Sequence, residues 1–225
     1  MMNETSTPVS AWHFVDMEDS NAIRLSGEWQ TYEGALVLGV SGLHACFEPW
    51  DALWHAHGPV LCMVELGGSL KANSYRAVAS KRKILKSHDM TCMIRRFAAE
   101  QALKVAHLWD MPATVRAYLK TELLGLRAEA EDLANKTGQA AFGQSHKRRG
   151  DDDDNDDRTL KAAAWAARAA AQAAKVNVWE TVGTASAVSA ALSIVASHDK
   201  PEMLVFDPPS REFNHRVYDV FGVAP

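Results

Sequence analysis

Cysteine is scarce in this 225-residue chain: Cys46, Cys62 and Cys92 are the only three, and none stands in a CxxC pair. An odd, scattered set excludes a disulfide framework and a paired-thiol zinc site, and it fits a reducing compartment. Basic charge is not in surplus either. The 24 Lys and Arg face 28 Asp and Glu, for a net charge of -4. A surface that neutralises phosphates along a nucleic acid normally carries a basic face, so nucleic acid is not an expected partner. Long apolar runs are missing: the longest charge-free stretch, Thr181 to Ser197, is interrupted by Gly183 and several Ser and Thr. It falls short of the roughly 20 apolar residues that span a bilayer, and no membrane association is expected. Also absent are a Walker or Rossmann glycine loop, GxSxG and HExxH, which disfavours several common enzyme classes.

What is present is enough apolar material for a core, with 47% hydrophobic and 23% charged positions. Residues 1–10 are polar, carry Glu4 and lack an apolar centre, so they read as a disordered tail and not as a secretory signal, and a cytoplasmic location is expected. Residues 11–87 read as an α+β domain with a small mixed sheet. Short apolar runs at Ala11 to Met17, Ala35 to Val40, Val60 to Leu66 and Arg76 to Leu85 predict strands, closed in turn by Ser41-Gly42 and Gly67-Gly68. Pro49 with Trp50, Leu53 and Trp54 predicts a short helix between the second and third.

At residue 88 the period changes to three and four. Residues 88–137 predict a helical hairpin, with Asp89 capping the first helix and Asp110 and Pro112 opening a second that ends near Thr137-Gly138. Residues 138–157 carry Lys147-Arg148-Arg149 against six aspartates, and predict a flexible acidic loop. Residues 158–225 predict an alanine-rich helical region: a helix from Arg158 to about Val176, a break near Asn177 or Gly183, and a last helix over Ser210 to Phe221 capping the bundle. In that last helix Phe213, Val217, Val220 and Phe221 are expected inward. Trp165 and Trp179 fall near one stripe, while Lys161, Arg168 and Lys175 repeat by seven on another. The expected architecture is therefore a small sheet domain followed by an alanine-rich helical bundle.

The series Ala11-Trp12-His13-Phe14-Val15, Ser41-Gly42-Leu43-His44-Ala45-Cys46, Pro49-Trp50-Asp51-Ala52-Leu53 and Leu61-Cys62-Met63-Val64-Glu65-Leu66-Gly67-Gly68 resembles a family of phage, prophage and bacterial proteins. His107-Leu108-Trp109-Asp110-Met111-Pro112 and the unit Ala163-Ala164-Trp165-Ala166-Ala167-Arg168 extend the resemblance over most of the chain. It departs from the pattern in its Asp-rich insertion and after Val176. The resemblance implies relatives and an order of elements, and no reaction. A second resemblance, confined to the N-terminal half, is architectural: a Gly-apolar-His turn, a Pro-initiated helix and a strand are similar to ADP-ribosyltransferase-like folds, which implies a nicotinamide-dinucleotide cleft.

Three candidate site residues follow. His44, beside Ser41-Gly42 and Cys46, reads either as a proton donor or as a ring satisfying loop carbonyls. Glu65, the one acid of its apolar run, needs a partner: a neighbouring Lys71, Arg76 or Lys81, or in the sharper reading a ribose in a cleft. His13 joins them if a dinucleotide is bound. His55-x-His57 lacks a third ligand, so no metal is expected. For Cys46 and Cys62 a buried, unreactive role is expected. Trp165 reads as a packing knob or, with Arg168 and Lys175, as an anchor for a protein partner. The leading expectation is a phage-type accessory protein in a bacterial host cytoplasm that acts by protein–protein interaction without a cofactor. Its alternatives are a nucleotide-binding or ADP-ribosyltransferase-like enzyme using NAD, and a virion component.

Overall fold

The structure, a computed structural model, describes residues 8–16, 28–147, 154–175, 177, 183–196 and 209–224. It is α+β, and it divides into two compact units: residues 1–91 with 210–225, and residues 92–209.

The first unit is built on a five-stranded sheet: β1 (Val9–Val15), β2 (Gln30–Thr31), β3 (Leu43–Cys46), β4 (Val60–Ala72) and β5 (Arg76–Asp89). Every pairing is antiparallel, so the expected mixed sheet is not formed. Of these pairs only β4–β5 joins consecutive strands, which a short turn can connect; the others join strands that are not consecutive in the chain. β4 and β5 form one long hairpin whose tip is an Asx turn: the Asn73 side chain accepts from the amides of Tyr75 at 3.1 Å and Arg76 at 2.9 Å. β1 pairs with β4 along its whole length, β3 pairs with β5, and Trp12 meets Cys46 between β1 and β3, which closes a small ring of strands. Ala11, Val15, Ala45, Cys62, Val64, Leu66, Ala77 and Ala79 fill one core cluster of this ring. Ala11, Ala45, Ala77 and Ala79 put small side chains at four of these core positions.

Several boundaries move. β1 takes in Val9 and Ser10 from the expected tail. The run Ala35 to Val40 is a turn, not a strand: Val37 makes a lone bridge to Ser41, and Gly39 and Gly42 adopt φ of 81° and 112°. The strand lies just beyond it, as β3. β4 does not close at Gly67-Gly68 but passes through a bulge, with Gly68 at φ 71° and a register shift before Leu70. α1 (Pro49–Leu53) is the expected Pro-initiated helix.

In the second unit, α2 (Thr91–Lys104) begins where Asp89 accepts from the Thr91 amide at 2.8 Å. A 3-10 turn, Ala106–Leu108, leads to α3 (Ala113–Thr121), whose N-cap position is Pro112 with no side-chain cap, so Asp110 does not serve there. The expected second helix is broken at Glu122, left-handed at φ 53°, and resumes as α4 (Leu124–Lys147) straight through Gly138. α5 (Asp154–Ala173) opens inside the aspartate run, so of the expected 138–157 loop only residues 148–153 lie outside the described residues. Asp157 accepts from Ser145 of α4 and pairs with Lys161 at 2.5 Å. α6 (Gly183–Ala196) follows, and α5 packs against both α4 and α6 through alanines 162, 164, 166, 167, 169, 170, 171 and 173, all buried. Gly138 lets the α4 and α5 backbones come close: a Cβ there would sit 3.4 Å from the Ala164 carbonyl and the Ala167 methyl.

The last helix, α7 (Pro209–Phe221), does not cap the bundle. It belongs to the first unit, where Phe221 packs edge-on to Trp12 at 4.8 Å and Phe213 to Trp50 at 5.5 Å. Phe213, Val217 and Phe221 are buried, while Val220 is exposed.

Candidate functional site

A cavity of about 440 Å³ opens in the first unit. β1 supplies Trp12, His13 and Phe14; the Gly39-Val40 turn and β3 supply Gly42 to Cys46; α1 and the loop after it supply Ala52, His55 and His57; β5 supplies Arg76 and Arg82. Two guanidiniums and four imidazoles thus surround one space, and no carboxylate stands among the described residues lining it.

Each basic group is held differently. Arg82 is buried, and its acceptors among the described residues are neutral: the Gln30 side-chain oxygen at 3.1 Å from Nε and the His44 carbonyl at 2.9 Å from Nη1. Arg76 is half-buried beside the turn, and its buried Nε meets no acceptor among the described residues. The turn must be tight to admit it, since a Cβ on Gly39 would lie 2.8 Å from Arg76 Nη2. His44 braces the same turn. Its Nε2 accepts from the Gly39 amide at 2.8 Å, which leaves the proton on Nδ1, donated to the Gly42 carbonyl at 3.1 Å. His13 is kept uncharged: burial first, then Arg82, His57 and His44, hold it down to about 3. His55 is lowered by burial and by Arg76. The Cys46 thiol is pushed up to about 11, chiefly by burial and then by Asp51, so it is a poor nucleophile. Cys62 is buried and Cys92 exposed, and neither is in a disulfide.

Comparison with protein-family profiles, with curated proteins and with solved structures finds no match. The site is therefore read from its own geometry.

Of the residues expected at a cleft, His13 and His44 come together and Glu65 does not join them. β1 and β4 pair in unbroken register, with His13 opposite Cys62 and Ser10 opposite Glu65. Side chains alternate along a strand, so Glu65 lies on the other face from His13. Its cross-strand neighbours are Ser10 and Lys83, not the expected Lys71, Arg76 or Lys81. Arg76 and Arg82 line the cavity without having been expected there, Arg76 entering the sequence reading only as a partner for Glu65. The signal available was weak: Arg82 stands between Lys81 and Lys83, and nothing in that basic run marks it as the buried cation until the strand's neighbours are known.

In the second unit Trp165 is half-buried, edge-on to Phe142 at 6.0 Å, with the exposed Arg168 guanidinium over its ring at 5.3 Å. Lys175 is half-buried just past the end of α5. Trp179 lies outside the described residues. Among the described residues no group of three His, Cys, Asp or Glu is placed to hold a metal, and no helix is long and apolar enough to cross a membrane.

Proposed function

We propose that the first unit is a binding module for a small anionic molecule, taken up in the cavity lined by Arg76 and Arg82. The observation that carries this reading is the charge of the lining: two arginines, one of them buried, with no acidic side chain among the described residues that line the cavity with them. A buried cation without a counter-ion costs several kcal/mol, on the order of the penalty for breaking a buried pair, and an anionic ligand removes that cost. Binding is favoured over turnover because, of the four lining histidines, His44 is locked by two backbone contacts and His13 is held uncharged, while the acid Glu65, the expected partner of both, stands elsewhere. The dinucleotide alternative keeps the cavity and loses its proposed acid.

Calorimetry of the full chain with inorganic phosphate, AMP, NAD and citrate tests the reading. At least one anion is expected to bind and to raise the melting midpoint, since ligand at 100 times its dissociation constant adds about 2.7 kcal/mol. No binding of any of them at millimolar concentration overturns it.

A second reading concerns the helical unit, where the phage-type accessory role would place a protein partner. Its support is Arg168, exposed and stacked on Trp165, an arrangement suited to an interface anchor. Capture of host proteins by the wild-type chain but not by Arg168→Glu is the expected outcome. Equal capture by both would remove this reading.

A further inference from the structure

We infer that the cavity of the first unit takes a dianion, the phosphate group of a small phosphomonoester, with Arg76 and Arg82 as the two charges that select it. This rests on the anion-binding reading above and narrows it to one chemical class.

Two fixed positive charges line the cavity. His44 is engaged through both ring nitrogens, by the Gly39 amide and the Gly42 carbonyl. His13 is neutral near pH 7, as burial and Arg82 oppose its proton, and His55 is biased the same way by burial and Arg76. Among the described lining residues, Arg76 and Arg82 are the two whose positive charge does not depend on pH in the working range. The acids of the neighbouring helix, Glu48 at its N-cap position and Asp51, are not among the lining residues.

A monocarboxylate would neutralise only one of the two guanidiniums, leaving the other without a counter-charge. A phosphomonoester carries roughly -1.5 to -2 at pH 7, with a second ionisation near about pH 6, and matches both. Donor geometry agrees. Arg76 Nε is buried without an acceptor among the described residues, and a guanidinium fork suits the oxygens of a phosphate.

Size argues for an ester over the free ion. The cavity of about 440 Å³ falls in the range of roughly 300 to 1,000 Å³ typical of small-molecule sites, far more than inorganic phosphate fills. The organic portion would meet Trp12, Phe14 and Val40, with His55 and His57 at hand for its hydroxyl groups.

Phenyl phosphate and phenyl sulfate make a direct test, being alike in shape and different in charge. Calorimetry at pH 7.5 is expected to show phenyl phosphate binding at least about 10-fold more tightly. Its affinity should fall as pH drops through about 6, more steeply than that of phenyl sulfate, whose slope reports the protein's own groups. Arg76→Gln should bring the phosphate-to-sulfate ratio toward one, and Arg76→Lys, which keeps the charge, should retain most of it. Circular dichroism confirms that both variants fold. Equal affinity for the two esters overturns the dianion inference and leaves the anion reading standing. So does failure of both esters while another anion binds. An unchanged ratio in Arg76→Gln overturns the placement at Arg76, and failure of every anion overturns both readings.

Discussion

His13 shows how one residue couples the cavity to the stability of its unit. In the unfolded chain its imidazole takes a proton near 6.5, whereas in the folded unit burial and Arg82 hold that proton off down to about 3. Between those values the unfolded state binds more protons, so folding loses stability as pH falls, by at most about 1.4 kcal/mol per pH unit. Above about pH 7 this contribution is fully present. His13→Gln should flatten the slope: urea midpoints at pH 7, 6 and 5 that converge for the variant and diverge for the wild type are expected, and parallel curves would sink the assignment. Trp165 poses the residue-scale question in the other unit. Emptying a fully buried aromatic site costs about 3 to 5 kcal/mol, but Trp165 is half-buried, supported by Phe142 on one side and Arg168 on the other. Trp165→Ala is therefore expected to cost about 2 kcal/mol in denaturant unfolding, with Arg168→Ala within about 0.5 kcal/mol of wild type. A loss below 1 kcal/mol would mean that the α4–α5 contact does not depend on this ring.

Elements with a long period were legible in the sequence, and those set by single residues were not. Alanine's propensity placed α5 within a few residues, and Asp89 announced α2 through its cap. The Ala35 to Val40 run failed as a strand because its apolar residues serve a turn: Leu36 is buried while Val37 and Val40 are exposed, and Gly39 and Gly42 take the left-handed region. β3 was hidden because four residues carry too little pattern to distinguish a strand from a loop. Likewise, no spacing reveals that Glu65 and His13 face opposite ways, since that depends on the register of β1 against β4. Gly138 looked like a helix end and is in fact a point of close approach. A Cβ there reaches Ala164 and Ala167 at ordinary contact distance, so Gly138→Ala should stabilise the helical unit by up to about 1 kcal/mol through helix propensity. The branched Gly138→Val has no room for its further methyls and should destabilise by about 1 to 3 kcal/mol. The opposite signs, read from thermal midpoints of the two variants, are the prediction. Two changes of the same sign would show that the helices are not in contact at this point.

At the scale of the whole molecule, the chain closes its first unit with its last helix. Its amphipathic pattern was readable, yet which surface it covers was not, because that surface comes from residues more than 100 positions earlier. Three kinds of contact hold α7 in place. Phe221 packs on Trp12 and His88, Phe213 on Trp50, and the Lys86 ammonium donates to the Phe221 carbonyl at 2.8 Å. The Asn214 side chain accepts from the Trp50 amide at 2.8 Å while donating to Glu48, and the Tyr218 hydroxyl also donates to Glu48. The apolar part should dominate, since Phe221 is 2% exposed and sits against the outer side of β1, whereas an exposed Glu48 contributes little through solvent-facing hydrogen bonds. Phe221→Ala is therefore expected to lower the opening free energy of β1 and β4 amides by about 3 kcal/mol in native-state hydrogen exchange. Val220→Ala, one residue away but 42% exposed, should change the same amides by less than about 0.5 kcal/mol. Because the two variants differ by one position on the same helix turn, helix propensity and chain entropy are nearly common to both, and the difference isolates the burial of one ring. Equal effects, or β1 protection that ignores Phe221→Ala, would show that the sheet stands without α7.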